Sequence, residues 1–308
     1  MKKLSIVVPC YNEEEVLETF YKTVSEILKD VKIEKEYVFI DDGSKDKTLE
    51  ILRKLAKKDK NVRYISFSRN FGKEAGMFAG LENAAGDYVV VMDADLQHDP
   101  KLLPKMLETL EKEKYHSVAV RRINRKEGLR GFLSKKFFKI MSKLSGLNTA
   151  EGEMDYRMMK RNMVDACISM KEKNRFTKGI FSYVGFNTKW IEQENIEREL
   201  GSTKWNMKGL IKYSLEGITA FSTTPLIYSA ILGMLFILIA FILFVVVIVK
   251  MIGGATFFNF ITLLCFLFVF SGIQLFALGV IGEYLSKMYL EIKNRPVYLV
   301  KETEKDLD

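Results

Sequence analysis

The chain has 308 residues, of which 48% are hydrophobic and 28% are charged, with a formal net charge of +8. Because these fractions are close to those of ordinary globular proteins, wholesale disorder and collagen-like or low-complexity classes are excluded. The length suffices for about two domains. Charge is unevenly distributed, however, since residues 226–281 contain one charged residue, Lys250. The composition therefore predicts a water-adapted body followed by a lipid-adapted segment.

Residues 1–120 alternate between short β-rich runs and longer amphipathic runs. The predicted strands cover residues 4–9, 37–40, 62–67, 87–92 and 117–120, and the predicted helices cover 14–31, 47–57, 74–84 and 100–113. This βαβα order predicts an α/β fold with a mainly parallel sheet and helices on both faces. Ligands of such sheets bind beyond the carboxyl ends of the strands, so the polar residues there are the first candidates for function.

Beyond residue 120 the pattern changes. Residues 121–143 carry nine Lys or Arg and one Glu, and apolar residues recur among them at helical spacing, which predicts a basic amphipathic helix over 128–147. Such a helix is typical of the interface of an anionic membrane leaflet. Nucleic acid is the rival partner, and a solvated helix packed on its own domain is a third interpretation. After a polar stretch at 151–157, we predict a helix over 160–171, a strand or hairpin over 181–192 and a juxtamembrane amphipathic helix over 206–225.

Two long uncharged runs follow at 226–249 and 257–281. Each exceeds the roughly 20 residues that span a bilayer core, and the link between them is too short for a domain, so they predict a transmembrane hairpin. The alternative, two core helices of a soluble protein, is disfavoured because helices apolar all round need lipid. Basic residues flank the hairpin, which places the body, both termini and the tail at 282–308 in the cytoplasm. Small residues at Gly272 and Gly279 would permit a homo-oligomer.

Asp93 and Asp95 directly follow the predicted strand at 87–92. Two carboxylates one residue apart on such a turn can hold a hard divalent cation, Mg²⁺ or Mn²⁺, whose shell substrate phosphates would complete. A solvated turn is the alternative. This pattern favours a nucleotide diphosphate as ligand.

Asp41 and Asp42 close the second predicted strand. Their carboxylates can accept hydrogen bonds from a base imide or from ribose hydroxyls. Ser44 or Asp46 could instead cap the helix that begins near residue 47, and such a cap leaves a binding role for Asp41 or Asp42 open.

Four blocks together resemble the family-2 glycosyltransferases with the GT-A fold. They are PCYNEEE at 9–15, DDGSKDKT at 41–48, SRNFGKEAGMFAGLENAAGDYVVVMDADLQHDP at 68–100 and EGEMDYRMMKR at 151–161. Their order and spacing match over residues 1–205, the expected glycosyltransferase domain. The two apolar runs narrow the likeness to the polyprenyl-phosphate glycosyltransferases, relatives of dolichol-phosphate mannose synthase and of bacterial undecaprenyl-phosphate glucosyltransferases. The Q-x-x-R-W motif of processive synthases is absent, which favours a single transfer.

The resemblance implies a role for particular residues. It implies contacts to the nucleotide sugar from Pro9, Tyr11, Asn12, Glu13, Asp41, Asp42, Lys73, Asp93, Asp95 and Gln97. It implies metal binding by Asp93 and Asp95, and contacts to the phosphates of donor or acceptor from Arg121, Arg122, Arg198, Ser202 and Lys204. The predicted catalytic residues are Asp155, Asp95 and Arg157. Asp155 matches the family's proposed base, but a phosphomonoester is largely dianionic at pH 7, so we expect Asp155 to orient Arg157, the sugar or the phosphate.

The expected function is inverting, metal-dependent transfer of one hexose to undecaprenyl phosphate at the cytoplasmic face of a bacterial membrane, for cell-envelope glycosylation. Analogy favours glucose and UDP. Mannose, galactose, N-acetylglucosamine or aminoarabinose, and GDP, remain alternatives. Two other classes are a non-catalytic nucleotide-sugar-binding partner of a lipid-sugar translocation complex and a nucleic-acid binder. The acidic motifs disfavour the first, and the apolar runs disfavour the second.

Overall fold

A computed structural model describes residues 2–123, 152–194, 219–220, 222–253 and 260–307. The chain divides into two compact units, Met1–Gly217 with Pro296–Asp308, and Ile218–Arg295. The predicted interface helix at 128–147 and most of the predicted helix at 206–225 lie outside the described residues.

The first unit alternates strands and helices along most of its length, as predicted. Its strands are β1 Lys3–Cys10, β2 Glu34–Asp41, β3 Val62–Phe67, β4 Tyr88–Val91, β5 Ser117–Ile123, β6 Glu153–Lys160, β7 Thr188–Glu194 and β8 Val300–Thr303. Its helices are α1 Leu17–Leu28, α2 Thr48–Lys58, α3 Lys73–Asn83, α4 Leu103–Lys112, α5 Arg161–Ser169 and α6 Thr177–Tyr183, with 3₁₀ turns at Pro100–Leu102 and Glu304–Asp306.

The strands form one sheet in the order β7-β5-β6-β4-β1-β2-β3-β8. The four strands β4, β1, β2 and β3 are mutually parallel, whereas β6 lies antiparallel between β4 and β5, and β8 lies antiparallel beside β3. β5 is antiparallel to β6, as β4 is, and it pairs with β7 in parallel. Of the eight strands in the described residues, six therefore run in the same direction, and β6 and β8 run against them. The predicted α/β class and the mainly parallel sheet are both confirmed.

Strand β6 runs antiparallel inside this sheet, and the sequence did not predict it as a strand. The part of the predicted polar stretch from Glu153 onward is in fact a strand inside the sheet, Glu153–Lys160. Its alternate residues Met154, Tyr156 and Met158 enter the main buried cluster. Because side chains alternate across a strand, Asp155 therefore faces the opposite side of the sheet.

The two faces of the sheet are covered differently. On one face, Phe39 of β2 meets Phe20 of α1 edge-on with ring centroids 6.3 Å apart, and each such buried aromatic contributes about 1.5–3 kcal/mol. On the other face, α3 lies close to β1 because two of its residues are glycines. A Cβ at Gly80 would overlap Val7, and one at Gly76 would lie 3.3 Å from the Pro9 Cβ. This close packing sets the first turn of α3 beside the strand ends.

The predicted strand or hairpin over 181–192 is wrong in its first part. The structure has helix α6 up to Tyr183 and begins β7 at Thr188. Gly185 separates them with φ +69°, a left-handed conformation that commonly ends helices at glycine. The apolar residues before Gly185 therefore belong to a helix.

The second unit contains α7, Thr224–Ile252, and α8, Phe260–Ile292. Both are long and apolar enough to cross a membrane by length and composition, in agreement with the predicted runs. Helix α8 continues past the predicted end at 281, because the more polar residues that follow still favour a helix until Pro296 approaches.

The predicted tail at 282–308 is not a uniform segment. Its last part returns to the first unit as β8, paired with β3. Glu302 accepts hydrogen bonds from Arg53 Nε at 2.8 Å and from the Tyr64 hydroxyl at 3.0 Å. Tyr298 stacks on Phe67 with centroids 4.8 Å apart. The tail thus completes the edge of the sheet.

Candidate active site

The register of β4 and β6 brings two predicted acids together. Val91 of β4 is paired with Arg157 of β6 in an antiparallel ladder, and two further steps along that register set Asp93 opposite Asp155. Lys73, at the start of α3, closes the group. Its Nζ lies 2.8 Å from Asp93 Oδ1 and 2.6 Å from Asp155 Oδ2. Three predicted residues from three separate elements therefore form one cluster.

A second lysine joins this cluster from α6. Lys178 Nζ lies 3.6 Å from Asp155 Oδ1 and donates a hydrogen bond to the Glu153 carbonyl at 3.0 Å. The sequence analysis missed Lys178, since no local motif sets it apart from other lysines. Asp155 is thus held between two ammonium groups.

Electrostatics in the cluster favour the charged forms. Burial alone would raise the pKa of Asp155, but Lys178 and Lys73 hold that pKa well below its ordinary value. Burial opposes the charge of Asp93 as well, and Lys73 lowers its pKa. For Lys73, burial is outweighed by Asp155 and Asp93, which raise its pKa. The Lys73 side chain keeps 40% of its exposure, so a ligand from solvent can reach it.

The turn after β4 carries Asp95 and Gln97. Asp95 Oδ1 accepts a hydrogen bond from the Gln97 N–H at 3.1 Å. Leu96 between them has φ +56°, and such a conformation at a bulky residue costs about 1–3 kcal/mol. Gln193 of β7, which sequence reasoning also missed, donates to the Gln97 carbonyl at 2.7 Å and accepts from the Asp99 N–H at 3.1 Å. The surroundings therefore fix this strained turn.

The loop after β1 is tied to the loop after β2. The Asn12 N–H donates to Ser44 Oγ at 3.0 Å, and the Glu13 N–H donates to Thr48 Oγ1 at 2.8 Å. Pro9 packs beneath α3, and Tyr11 is half-buried beside these residues. The first predicted nucleotide loop is therefore held in one conformation by the second.

Asp41 and Asp42 are both buried, and both brace loops. Asp41 accepts hydrogen bonds from the Ser66 hydroxyl at 2.7 Å and from the Ser44 N–H at 3.0 Å. Asp42 accepts from the backbone N–H groups of Phe71 at 2.6 Å and Gly72 at 2.9 Å. Since Gly72 precedes Lys73, Asp42 fixes the start of α3. Contact of either acid with a nucleotide base stays a prediction.

Arg157 lies apart from the cluster. It is 2% exposed and donates to Glu153 Oε1 at 2.9 Å, to Ser117 Oγ at 2.9 Å and to Thr188 Oγ1 at 3.1 Å. The expectation that Asp155 orients Arg157 is not supported by these contacts, because Asp155 bonds to lysines instead. These contacts give Arg157 a structural role, and its catalytic role stays a prediction.

Two of the five remaining predicted phosphate ligands, Arg121 and Arg122, lie within the described residues, next to each other on β5. Arg121 on β5 forms an ion pair with Glu192 of β7. The Arg122 N–H donates to the Gly152 carbonyl at 2.9 Å. The other three, Arg198, Ser202 and Lys204, lie outside the described residues.

His98 lies next to Asp93 and accepts a hydrogen bond from its backbone. The Asp93 N–H donates to His98 Nδ1 at 2.9 Å, so Nδ1 carries no proton. The His98 ring stacks on Tyr156 with centroids 5.1 Å apart and an interplanar angle of 11°. Burial lowers the pKa of His98, which favours the neutral imidazole. Sequence reasoning missed this residue although it stands within the third quoted block.

Comparison with known proteins gives the family of this chain. Residues 5–168 match the family described as Glycosyl transferase family 2. The chain belongs to this family, and it is a glycosyltransferase. The chain is 39% identical to the prophage bactoprenol glucosyl transferase homolog of Escherichia coli strain K12, over 98% of this chain and 100% of that protein. It is 38% identical to the bactoprenol glucosyl transferase of Shigella phage SfV, over 97% and 98% of the two chains.

Solved structures with a similar fold include glucosyl-3-phosphoglycerate synthase from Mycobacterium tuberculosis, in complex with Mn²⁺, UDP-glucose and phosphoglyceric acid. Its TM-score is 0.47 at 20% sequence identity, covering 71% of this chain and 78% of that one.

The buried His98 predicts a pH effect on the stability of this glycosyltransferase. Its folded pKa is lowered relative to about 6.5 in an unfolded chain. Below that pH the unfolded chain binds a proton that the folded chain does not, so stability falls as pH falls. Between pH 7.5 and 5.5 the wild type should therefore lose more stability than His98→Asn, by up to about 1.4 kcal/mol per pH unit below the unfolded pKa.

Thermal unfolding of the purified proteins at both pH values measures this difference. Asparagine is chosen because its Oδ1 can accept the Asp93 N–H in place of Nδ1. His116→Asn, at the other histidine, controls for the loss of a histidine elsewhere. Equal losses in wild type and His98→Asn would contradict a neutral, buried His98.

Proposed function

We propose that this glycosyltransferase transfers one glucose from UDP-glucose to a polyprenyl phosphate. The observation that carries the proposal is similarity along the whole chain, apolar helices included, to proteins named bactoprenol glucosyl transferases. Bactoprenol is a polyprenol. The cluster around Asp155 supports it, because Lys73, whose side chain is 40% exposed, can pair with a phosphate of an anionic donor or acceptor.

The proposed reaction is a single inverting displacement. A phosphate oxygen of the lipid attacks C1 of the sugar, and the bond between C1 and the UDP oxygen breaks with its electron pair leaving on UDP. The acceptor is largely dianionic at pH 7 because its second pKa is near 6. The product is a phosphodiester monoanion, so the transfer needs no proton acceptor.

Asp93 and Asp95 would hold a divalent cation together with the donor diphosphate. The residues fit such an ion, since carboxylate oxygens are ligands that Mg²⁺ and Mn²⁺ prefer. Among the residues that the structure describes, no group of three or more His, Cys, Asp or Glu side chains could hold a metal alone, which favours completion of the shell by phosphates. Bound there, the cation would neutralise charge on the leaving diphosphate.

We assign Asp155 an orienting role between Lys73 and Lys178 rather than a base role. Asp155→Asn should lower kcat about tenfold, less than the roughly 10²–10⁴-fold that general base catalysis supplies. In wild type and in Asp155→Asn, kcat/KM should fall on acidification with a midpoint near pH 6, where the lipid phosphate protonates. A loss of several orders of magnitude, or a shifted acid limb, would instead assign Asp155 as the base.

We further propose that the active site faces the cytoplasm. The two apolar helices have lengths and compositions suited to a membrane, and basic residues are concentrated on both flanks of the pair, at Lys208, Lys212, Lys287 and Lys293. The positive-inside tendency places such flanks in the cytoplasm, where nucleotide sugars are made.

A donor screen with the purified full-length protein tests the proposed function. Labelled UDP-glucose, UDP-galactose, UDP-N-acetylglucosamine and GDP-mannose are each incubated with a short-chain polyprenyl phosphate and Mg²⁺, and butanol-extractable label is counted. We expect extraction of label from UDP-glucose above all others. Preference for another donor would correct the sugar, and no label from any donor would favour a non-catalytic binding protein.

A further inference from the structure

Helices α3 and α6 are joined directly beside the two lysines of the site. Glu74, the residue after Lys73, accepts hydrogen bonds from both the N–H of Thr177, at 2.8 Å, and its hydroxyl. Thr177 is 3% exposed, and Lys178 is the next residue. The two lysines that contact Asp155 therefore neighbour the two residues that hold the helices together.

A second contact reinforces this junction. The Arg175 guanidinium lies over the Phe78 ring, 4.3 Å from its centroid. Glu74 and Phe78 are one turn apart on α3 and so lie on the same helix face. The segment leading into α6 is thus fixed to α3 at two points.

Helix α6 is also aligned with β6. Lys178 contacts Asp155 at 3.6 Å. Phe181, three residues on and on the same helix face, packs on the Arg157 guanidinium with 4.6 Å to its ring centroid. Asp155 and Arg157 are themselves two residues apart on one face of the strand. One turn of α6 therefore lies alongside two residues of β6, and this alignment fixes the position of Lys178 along the strand.

We propose that Thr177 and Lys178 are positioning residues for Asp155, and that Glu74 fixes them by its hydrogen bonds to Thr177. The inference rests on the proposed function, because it takes Asp155 as a member of the transferring site. Glu74 and Thr177 act at a distance from the substrate, through Lys178. Their loss should lower turnover and leave donor binding largely unchanged.

Substitutions at Thr177 separate this role from simple packing. Thr177→Val removes the hydroxyl at nearly constant volume, whereas Thr177→Ser keeps it. With the full-length enzyme, Thr177→Val should lower kcat about three- to tenfold with KM for UDP-glucose within about twofold, and Thr177→Ser should restore kcat. Thr109→Val, in which an exposed hydroxyl on α4 is removed, is the matched control.

A double variant tests whether Thr177 acts through Lys178. Lys178→Ala should lower kcat by a similar factor, and adding Thr177→Val should cost little more, because residues that act through one another are not additive. Lys189→Ala, whose lysine pairs with Glu113 on the surface, controls for loss of a lysine. Full additivity, or equal kcat in Thr177→Val and Thr177→Ser, would overturn the proposal.

Amine labelling gives a readout independent of transfer. In the purified protein, acetylation of Lys178 followed by mass spectrometry should be several-fold faster in Thr177→Val than in wild type or Thr177→Ser, since Lys178 loses its fixed contact with Asp155. If wild type transfers no sugar from any donor, the proposed function fails, and labelling alone decides this inference. Equal labelling of Lys178 in wild type and Thr177→Val overturns it.

Discussion

Asp95→Asn should reduce sugar transfer by roughly 10³-fold, because a metal ion contributes several kcal/mol of charge stabilisation in such reactions. The fold should persist. The hydrogen bond from the Gln97 N–H goes to Asp95 Oδ1, and asparagine keeps an oxygen at that position while it loses the negative charge. Initial rates of transfer to polyprenyl phosphate over a range of Mg²⁺ concentrations measure the effect.

A neighbouring residue provides the matched control for this prediction. Asp99, four residues further on, accepts a hydrogen bond from the Lys101 N–H at 3.0 Å in a similar turn. Asp99→Asn makes the same chemical change at a residue outside the cluster of Lys73, Asp93, Asp155 and Lys178. Its rate of transfer should stay within about twofold of wild type. Full activity of Asp95→Asn in membranes treated with a chelator would refute a metal role for this residue.

Arg157→Met should destabilise the protein by about 3–5 kcal/mol, because removal of one partner leaves the other buried without a counter-charge. The partner is Glu153, whose side chain is 6% exposed. Methionine keeps apolar contact with the aromatic rings around Arg157. Chemical or thermal unfolding of the purified variant and of wild type measures the loss in the free energy of unfolding.

A second substitution separates stability from catalysis. Glu153→Gln combined with Arg157→Met removes the unpaired charge and should recover a large part of the lost stability, together with most of the transfer activity. Arg53→Met, which breaks a more exposed pair with Glu302, should cost roughly 1 kcal/mol. A stable double variant without activity would restore the catalytic role that the sequence predicted for Arg157.

Local sequence patterns predicted the parts of the fold that depend on nearby residues. The apolar run before Asp93 and the acids after it are contiguous, so both the strand and its polar end could be predicted. Arg157 shows the limit of the same reasoning. Its closeness to Asp155 in the sequence suggested a shared role, but Arg157 bonds to Glu153, while Asp155 contacts Lys73 and Lys178 from two helices.

The residues that were missed come together only through tertiary packing. Lys178, His98 and Gln193 reach the site from a helix, a loop and a distant strand. Nothing in the local sequence marks Lys178 or Gln193, whereas His98 stands within the third quoted block. The sequence does contain one signal for strand β6. Met154, Tyr156 and Met158 alternate with polar residues, which is the period of a strand, and recognition of β6 would have set Asp155 opposite Asp93.

The mass of the lipid product is the most direct measurement of what this glycosyltransferase makes. Purified full-length protein is incubated with UDP-glucose, a polyprenyl phosphate and Mg²⁺, and the extracted lipid is weighed by mass spectrometry beside an Asp95→Asn sample. We expect the acceptor plus one hexose residue from wild type, and unchanged acceptor from the variant. Unchanged acceptor in both samples, or a lipid carrying a chain of hexoses, would contradict a single transfer at the site formed by Asp93, Asp95, Lys73 and Asp155.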